Sequence, residues 1–178
     1  MKTLTPRTQT PDLSFPLTNG DTWNLSEQDP KSFTMVVFYR GLHCPVCKGY
    51  TQSLNKLVDD FKERGVETVT VSMDSEKRAR TSVQEWEVDQ LKVGYDLSEE
   101  QASNWGLYLS NAINDNEPEL FSEPGLFLIR PDGELYYSAI NSMPFGRPVF
   151  KDMLRAIDFI QENDYPARGE VNAMELQD

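Results

Sequence analysis

The apolar positions of the chain change their period several times, and the changes mark out its elements. Leu13, Phe15 and Leu17 alternate, Asn19-Gly20 is a strong turn signal, and Thr22, Trp23 and Leu25 follow, so residues 12–25 predict a β-hairpin. Phe33-Thr34-Met35-Val36-Val37-Phe38-Tyr39 is almost unbroken in apolar and β-favouring residues, as a central strand covered on both faces would be. From Pro45 to Arg64 the period becomes helical, with Cys47, Tyr50, Leu54, Leu57, Val58 and Phe61 on one face and Gly65 as the stop. Val66 to Ser72 alternates again and predicts a strand. Asp74 and Ser75 can cap a helix running to about Glu87, Leu91 to Tyr95 predicts a short strand, and Ser98-Glu99-Glu100-Gln101 fits a capping box for a short helix ending near Gly106.

Residues 107–122 are polar and Asn-rich, and predict a loop. Gly125 to Arg130, the turn Pro131-Asp132-Gly133 and Glu134 to Ile140 predict a second hairpin. Pro148 opens a last helix, with Val149, Phe150, Met153, Leu154, Ile157 and Ile160 on one face. The expected organisation is a flexible arm over 1–10, one domain over 11–163 and an acidic tail over 164–178. A strand–helix–strand unit needs a parallel pairing with a right-handed crossover, and the late hairpin adds antiparallel strands. The fold class is therefore α/β, with a mixed central sheet, helices on both faces and an N-terminal β-hairpin.

Charge narrows the partners. The 178 residues carry 29 acidic and 17 basic side chains, a net charge of −12, which argues against nucleic acid or an anionic membrane surface. No run approaches the ~20 apolar residues of a membrane span. The N-terminus lacks the apolar segment of a secretory signal, so a cytoplasmic protein is expected.

The chemistry concentrates at Phe38-Tyr39-Arg40-Gly41-Leu42-His43-Cys44-Pro45-Val46-Cys47, which holds both cysteines and the one histidine. Two thiols three residues apart at a strand-to-helix junction suit reversible disulfide chemistry. A helix N-terminus favours a thiolate over a thiol, and can lower a cysteine pKa from ~8.5 to as little as ~3.5–7.5. Pro45 fits the first helical position, which puts Cys44 at the exposed cap and turns Cys47 toward the interior. Arg40, and His43 if protonated, would lower the thiol pKa further.

The plainer readings stand beside these. His43 reads most simply as a solvated loop residue, and Arg40 is balanced between the site and a surface ion pair. Arg147 reads as fixing the last helix, and Lys77, Arg78 and Arg80 as a solvated helix face. Tyr50 reads as core below the site, and Trp86, Trp105, Tyr95 and Tyr108 as core or interface. One C-x-x-C and a neighbouring histidine are too few for structural zinc, although Cu(I) accepts soft thiolates at low coordination. No metal and no other cofactor is expected. A non-enzymatic interaction module, using loop 107–122 as its contact surface, is a further alternative.

Several short motifs in order resemble the thioredoxin-fold group in its peroxiredoxin-like branch, the alkyl hydroperoxide reductase and thiol-specific antioxidant type. They are Pro11-Asp12-Leu13 with Asn19-Gly20-Asp21, Phe38-Tyr39, Gly125-Leu126-Phe127-Leu128-Ile129 with Pro131-Asp132-Gly133, and Met143-Pro144-Phe145-Gly146-Arg147. The likeness covers roughly Asp12 to Asn163 and implies a thioredoxin-like fold. Against the family's Pro-x-x-x-Thr-x-x-Cys signature, Cys47 falls at the peroxidatic position, Cys44 replaces the threonine and Arg40 the proline. Pro124 stands where the family has an arginine, and where thioredoxins place a cis-proline facing their cysteines.

The resemblance thus implies an oxidoreductase with a peroxiredoxin-like frame and a thioredoxin-like centre. The main expectation is thiol–disulfide exchange on a disulfide-bonded protein, with Cys44 attacking, Cys47 resolving and Pro124, if cis, shaping the substrate groove. The alternative is a thiol-dependent peroxidase, with Cys47 attacking a small peroxide, Cys44 condensing with it, and Arg40 or Arg147 standing in for the absent arginine. Either cycle needs a thiol reductant, and a homodimer is expected by resemblance.

Overall fold

The computed structural model describes residues 4–171. Its centre is a five-stranded sheet built on β3 (Phe33–Phe38), whose six residues are all buried. β3 runs parallel to β4 (Val66–Val71) and antiparallel to β8 (Gly125–Ile129), and the outer strands are β5 (Lys92–Gly94) and β9 (Leu135–Ile140). Alternation along β3 divides the core in two, because successive side chains point to opposite faces. Phe33, Met35, Val37 and Tyr39 meet the helices α1 (Pro45–Asn55), α2 (Val58–Glu63) and α5 (Phe150–Asn163). Val36 and Phe38 meet the hairpin β1 (Ser14–Pro16) and β2 (Thr22–Asn24) and the end of α4 (Glu99–Asn104). The thioredoxin-like α/β frame is thus present, with its mixed sheet, helices on both faces and N-terminal hairpin. α3 (Glu76–Glu85) links β4 to β5, and the capping box of α4 forms as expected, with Ser98 and Gln101 bonding each other's backbone.

Four expectations need correction. The helix predicted over 45–64 is two helices, broken at Lys56-Leu57. Asn55 is buried there, accepts hydrogen bonds from the backbone N–H groups of Gln90 and Leu91 and donates to Asp89. A side chain that competes for backbone partners favours helix ends, and here it satisfies a distant loop. The loop predicted over 107–122 contains a hairpin, β6 (Leu109–Asn111) with β7 (Leu120–Ser122), which matters for the site below.

The arm is not loose from Leu4 onward: Arg7 N donates to Leu135 O, and Gln9 bridges Glu134. The start of the tail is also docked, with Ala167 buried, Tyr136 Oη donating to Tyr165 O and Arg7 Nε to Ala167 O. Residues 1–3 and 172–178, the remainder of the expected arm and tail, lie outside the described residues. Among the described residues no helix is long and apolar enough to cross a membrane.

Candidate active site

The loop leaving β3 is shaped before it reaches the first cysteine. Gly41 takes a φ of +133°, where a side chain is strained, and a Cβ there would lie 2.7 Å from Asp74 Oδ2. The close approach lets the buried Asp74 carboxylate accept the Leu42 N–H at 2.7 Å and Arg78 Nε at 2.6 Å. Arg78 therefore belongs to the scaffold of this loop rather than to a solvated helix face. Cys44 N then donates to Gly41 O at 3.1 Å, closing the turn that starts α1.

Cys44 is the N-cap of α1, and Pro45 occupies the first helical position without wasting an N–H. The Cys44 sulfur accepts the Cys47 N–H at 3.2 Å, the bond that a serine or aspartate oxygen makes at other helix starts. Both cysteines are free thiols. The Cys44 thiol is pulled down to about 6, first by a hydrogen bond from the Cys47 thiol, then by the Cys47 N–H and Arg40. Cys47 is pushed up, because its proton is held toward Cys44 and its site is dry. The pair shares one proton tightly, and the first ionisation belongs to both sulfurs, with the charge resting on Cys44.

Exposure corrects one expectation directly. Cys44 is 1 % and Cys47 0 % exposed, so Cys44 is not an open tip. The β6–β7 hairpin closes over the loop: Phe121 packs on His43 at 4.7 Å and lies under the Arg40 guanidinium at 4.7 Å. His43 is not a solvated residue either. Both its ring nitrogens are buried and unpartnered, and its pKa is lowered by burial and by Arg40. It is neutral near pH 7 and adds no positive charge to the thiols.

Arg40 sits at the site and in ion pairs at once. Its Nε lies 3.2 Å from Glu123 Oε2 and its Nη2 3.7 Å from Glu117 Oε1, both glutamates being well covered. Arg147, expected to fix the last helix, instead sends Nη1 to the Cys47 sulfur at 3.8 Å, with its Cζ 4.0 Å from the centre of the Tyr50 ring. Tyr50 is half-buried beside this arginine. Pro124 immediately precedes β8 and is buried, with its carbonyl accepting the Asn141 N–H. No peptide bond among the described residues is cis, so the cis-proline of the thioredoxin comparison is absent. Among the described residues no group of three or more His, Cys, Asp or Glu side chains converges, which leaves a metal only the two sulfurs.

Beyond Pro45 the surface falls into an apolar depression of about 740 Å³, lined in part by Val46, Tyr50, Phe145, Arg147 and Val149. It meets the cysteine pair through Arg147. Sequence reasoning missed Glu117 and Glu123, and read Asp74 only as a helix cap rather than as the anchor of the Leu42 loop. Glu123 carried one readable signal, a carboxylate next to Pro124 at the start of an apolar strand.

Residues 6–138 match the model of the AhpC/TSA family. The chain belongs to the AhpC/TSA family. It is 26 % identical over 169 residues to peroxiredoxin 1 of Brugia malayi, covering 92 % of this chain and 73 % of that protein. It is 28 % identical over 145 residues to a chloroplastic 2-cysteine peroxiredoxin of Chattonella marina var. antiqua, covering 80 % and 73 %. The fold matches a peroxiredoxin 6 variant of Arenicola marina with a TM-score of 0.73 at 20 % identity, covering 98 % of this chain and 88 % of that one. As an AhpC/TSA protein the chain is an oxidoreductase working through thiols. Within that frame this chain carries the Cys44–Cys47 pair, with the Arg147 guanidinium at the Cys47 sulfur.

Proposed function

We propose that the chain is a thiol peroxidase that closes a Cys44–Cys47 disulfide at each turnover. The observation that carries this reading is the burial of both cysteines, at 1 % and 0 % exposure, with the Arg147 guanidinium at the Cys47 sulfur and Arg40 in the loop that leads to Cys44. A folded protein disulfide needs an exposed sulfur to meet, and both cysteines are buried. A peroxide group is small enough to enter by local opening, and an arginine polarises it. The peroxiredoxin relatives support the same chemistry.

The Cys44 thiolate attacks the outer peroxide oxygen and the O–O bond breaks. The Cys47 S–H, already directed at Cys44, gives its proton to the departing oxygen, which leaves as alcohol or water. Cys44 is now a sulfenic acid and Cys47 a thiolate stabilised by Arg147. The Cys47 thiolate attacks the Cys44 sulfur, and hydroxide leaves and is protonated to water. Two electrons have passed from the sulfurs to the peroxide, and an external dithiol, or two monothiols in turn, restores the Cys44–Cys47 dithiol by exchange and leaves as the disulfide.

The family register favours the opposite order, with Cys47 attacking, and Arg147 beside Cys47 supports that second reading. Peroxide consumption with a dithiol reductant tests the function itself. A rate no better than that of free thiol removes both orders.

A further inference from the structure

Arg147 is held at Cys47 in an unusual way. Among the described residues it makes no ion pair, although the chain carries 29 acidic side chains. Its guanidinium lies instead over the Tyr50 ring, Cζ to centroid 4.0 Å. Tyr50 stands three residues after Cys47 on α1, so the two share a helix face. The Tyr50 Oη donates to Pro148 O at 2.6 Å, the carbonyl of the residue that follows Arg147. The Tyr50 ring in turn packs, tilted by 33°, against Phe150 with ring centroids 4.2 Å apart. One tyrosine thus holds the arginine by its ring face and the next residue's carbonyl by its hydroxyl.

We propose that Tyr50 is a positioning residue that holds Arg147 against the Cys47 sulfur while leaving its charge and its donors free. A carboxylate in the same place would set a negative charge about as near the sulfur as the positive one, and the two fields would largely cancel there. It would also occupy N–H donors. A ring face attracts the cation through its quadrupole and takes no N–H. Arg147 Nη2 is accordingly buried without a partner, a donor left for a peroxide oxygen or for the Cys47 thiolate. Burial raises the Tyr50 pKa, so its hydroxyl stays a neutral donor to Pro148.

The inference rests on the peroxidase reading for its purpose, and its test does not depend on peroxidase activity. In a Cys44→Ser background, the pH dependence of Cys47 alkylation reports the field that Arg147 exerts. Tyr50→Leu is expected to raise the Cys47 midpoint by about one pH unit. Tyr50→Phe and Tyr50→Trp, which keep a ring, should recover most of that shift. Arg147→Leu should give a rise equal to or larger than that of Tyr50→Leu, and the double variant should add little to it.

With Cys44 restored, disulfide closure after a peroxide pulse should slow about tenfold in Tyr50→Leu, the scale of one pH unit in thiolate population. An unmoved Cys47 midpoint in Tyr50→Leu, with only a lower melting temperature, overturns the assignment. So does full additivity with Arg147→Leu. If the midpoint moves but the intact protein consumes no peroxide, the positioning role stands and the peroxidase reading falls.

Discussion

Arg40 and Arg147 each stand beside one sulfur of the same pair, but their surroundings are opposite. Arg40 faces Glu117 and Glu123 from the β6–β7 hairpin, and the Ser110 hydroxyl donates to Glu123 at 2.7 Å. Arg147 faces the ring of Tyr50 and makes no ion pair among the described residues. Counted as formal charges, the Arg40 cluster is one unit negative and the Arg147 side one unit positive. The arginine nearer the low-pKa thiol is thus the one whose field is damped. The low Cys44 pKa follows from hydrogen bonding before charge, and the donors from Cys47 outrank Arg40 among its causes. Hydrogen bonds set the resting thiolate on Cys44, while an undamped charge waits for the thiolate that forms later on Cys47.

Substitutions that break this contrast should differ in size. Cys47→Ser has the largest effect: Cys44 oxidises to the sulfenic acid, no intramolecular disulfide follows, and reduction must then proceed by direct attack of external thiol on the sulfenic acid. Mass analysis after a peroxide pulse should find the sulfenic acid or its adduct on Cys44.

Arg147→Leu comes next. Loss of a charged donor aimed at developing negative charge costs ~10²–10³ in rate, and the loss should fall on disulfide closure more than on the first oxidation. Rapid-mixing measurements of the two steps check the division.

Arg40→Met should act less. It removes a donor and a positive charge that favour the Cys44 thiolate, so the pH–rate midpoint rises. A hydrogen bond to a charged group contributes ~1.5–3 kcal/mol, which sets a rise of ~1–2 pH units. The thiolate is populated above its midpoint, so activity near pH 7 falls while activity at high pH is retained. A profile unchanged in position would mean that Arg40 serves its glutamates alone.

Glu117→Gln is the smallest. Removing a carboxylate frees Arg40 toward Cys44, so the midpoint should move down by a few tenths of a pH unit, the scale of a partly covered ion pair. A rise instead would show that Glu117 is needed to hold Arg40 in place.

The parts of this site that follow from neighbouring residues were legible in the sequence. The apolar run of β3, the thiols three residues apart and Pro45 at the first helical position fix a cysteine at a helix cap without knowledge of the rest. What was hidden came from contacts between distant segments. Arg147 reaches Cys47 across 100 positions, and Asp74 reaches Leu42 across 32. The burial of the Arg40–Cys44 loop depends on Phe121, in a segment whose polar composition concealed a hairpin of three-residue strands. The break of the first helix is decided by the backbone of Gln90 and Leu91, which no periodicity in 45–64 reports. Pro124 shows the limit of resemblance: its position suggested a thioredoxin-like turn, and its peptide bond is trans.

The most direct measurement is the site of first oxidation. Reduced Cys44→Ser and Cys47→Ser proteins are each given one equivalent of hydrogen peroxide, the sulfenic acid is trapped with a dione reagent, and its rate and position are read by mass spectrometry. Trapping should be rapid at Cys44 in Cys47→Ser and slow at Cys47 in Cys44→Ser. Rapid trapping at Cys47 in the absence of Cys44, with little at Cys44 in the other variant, would contradict attack by Cys44.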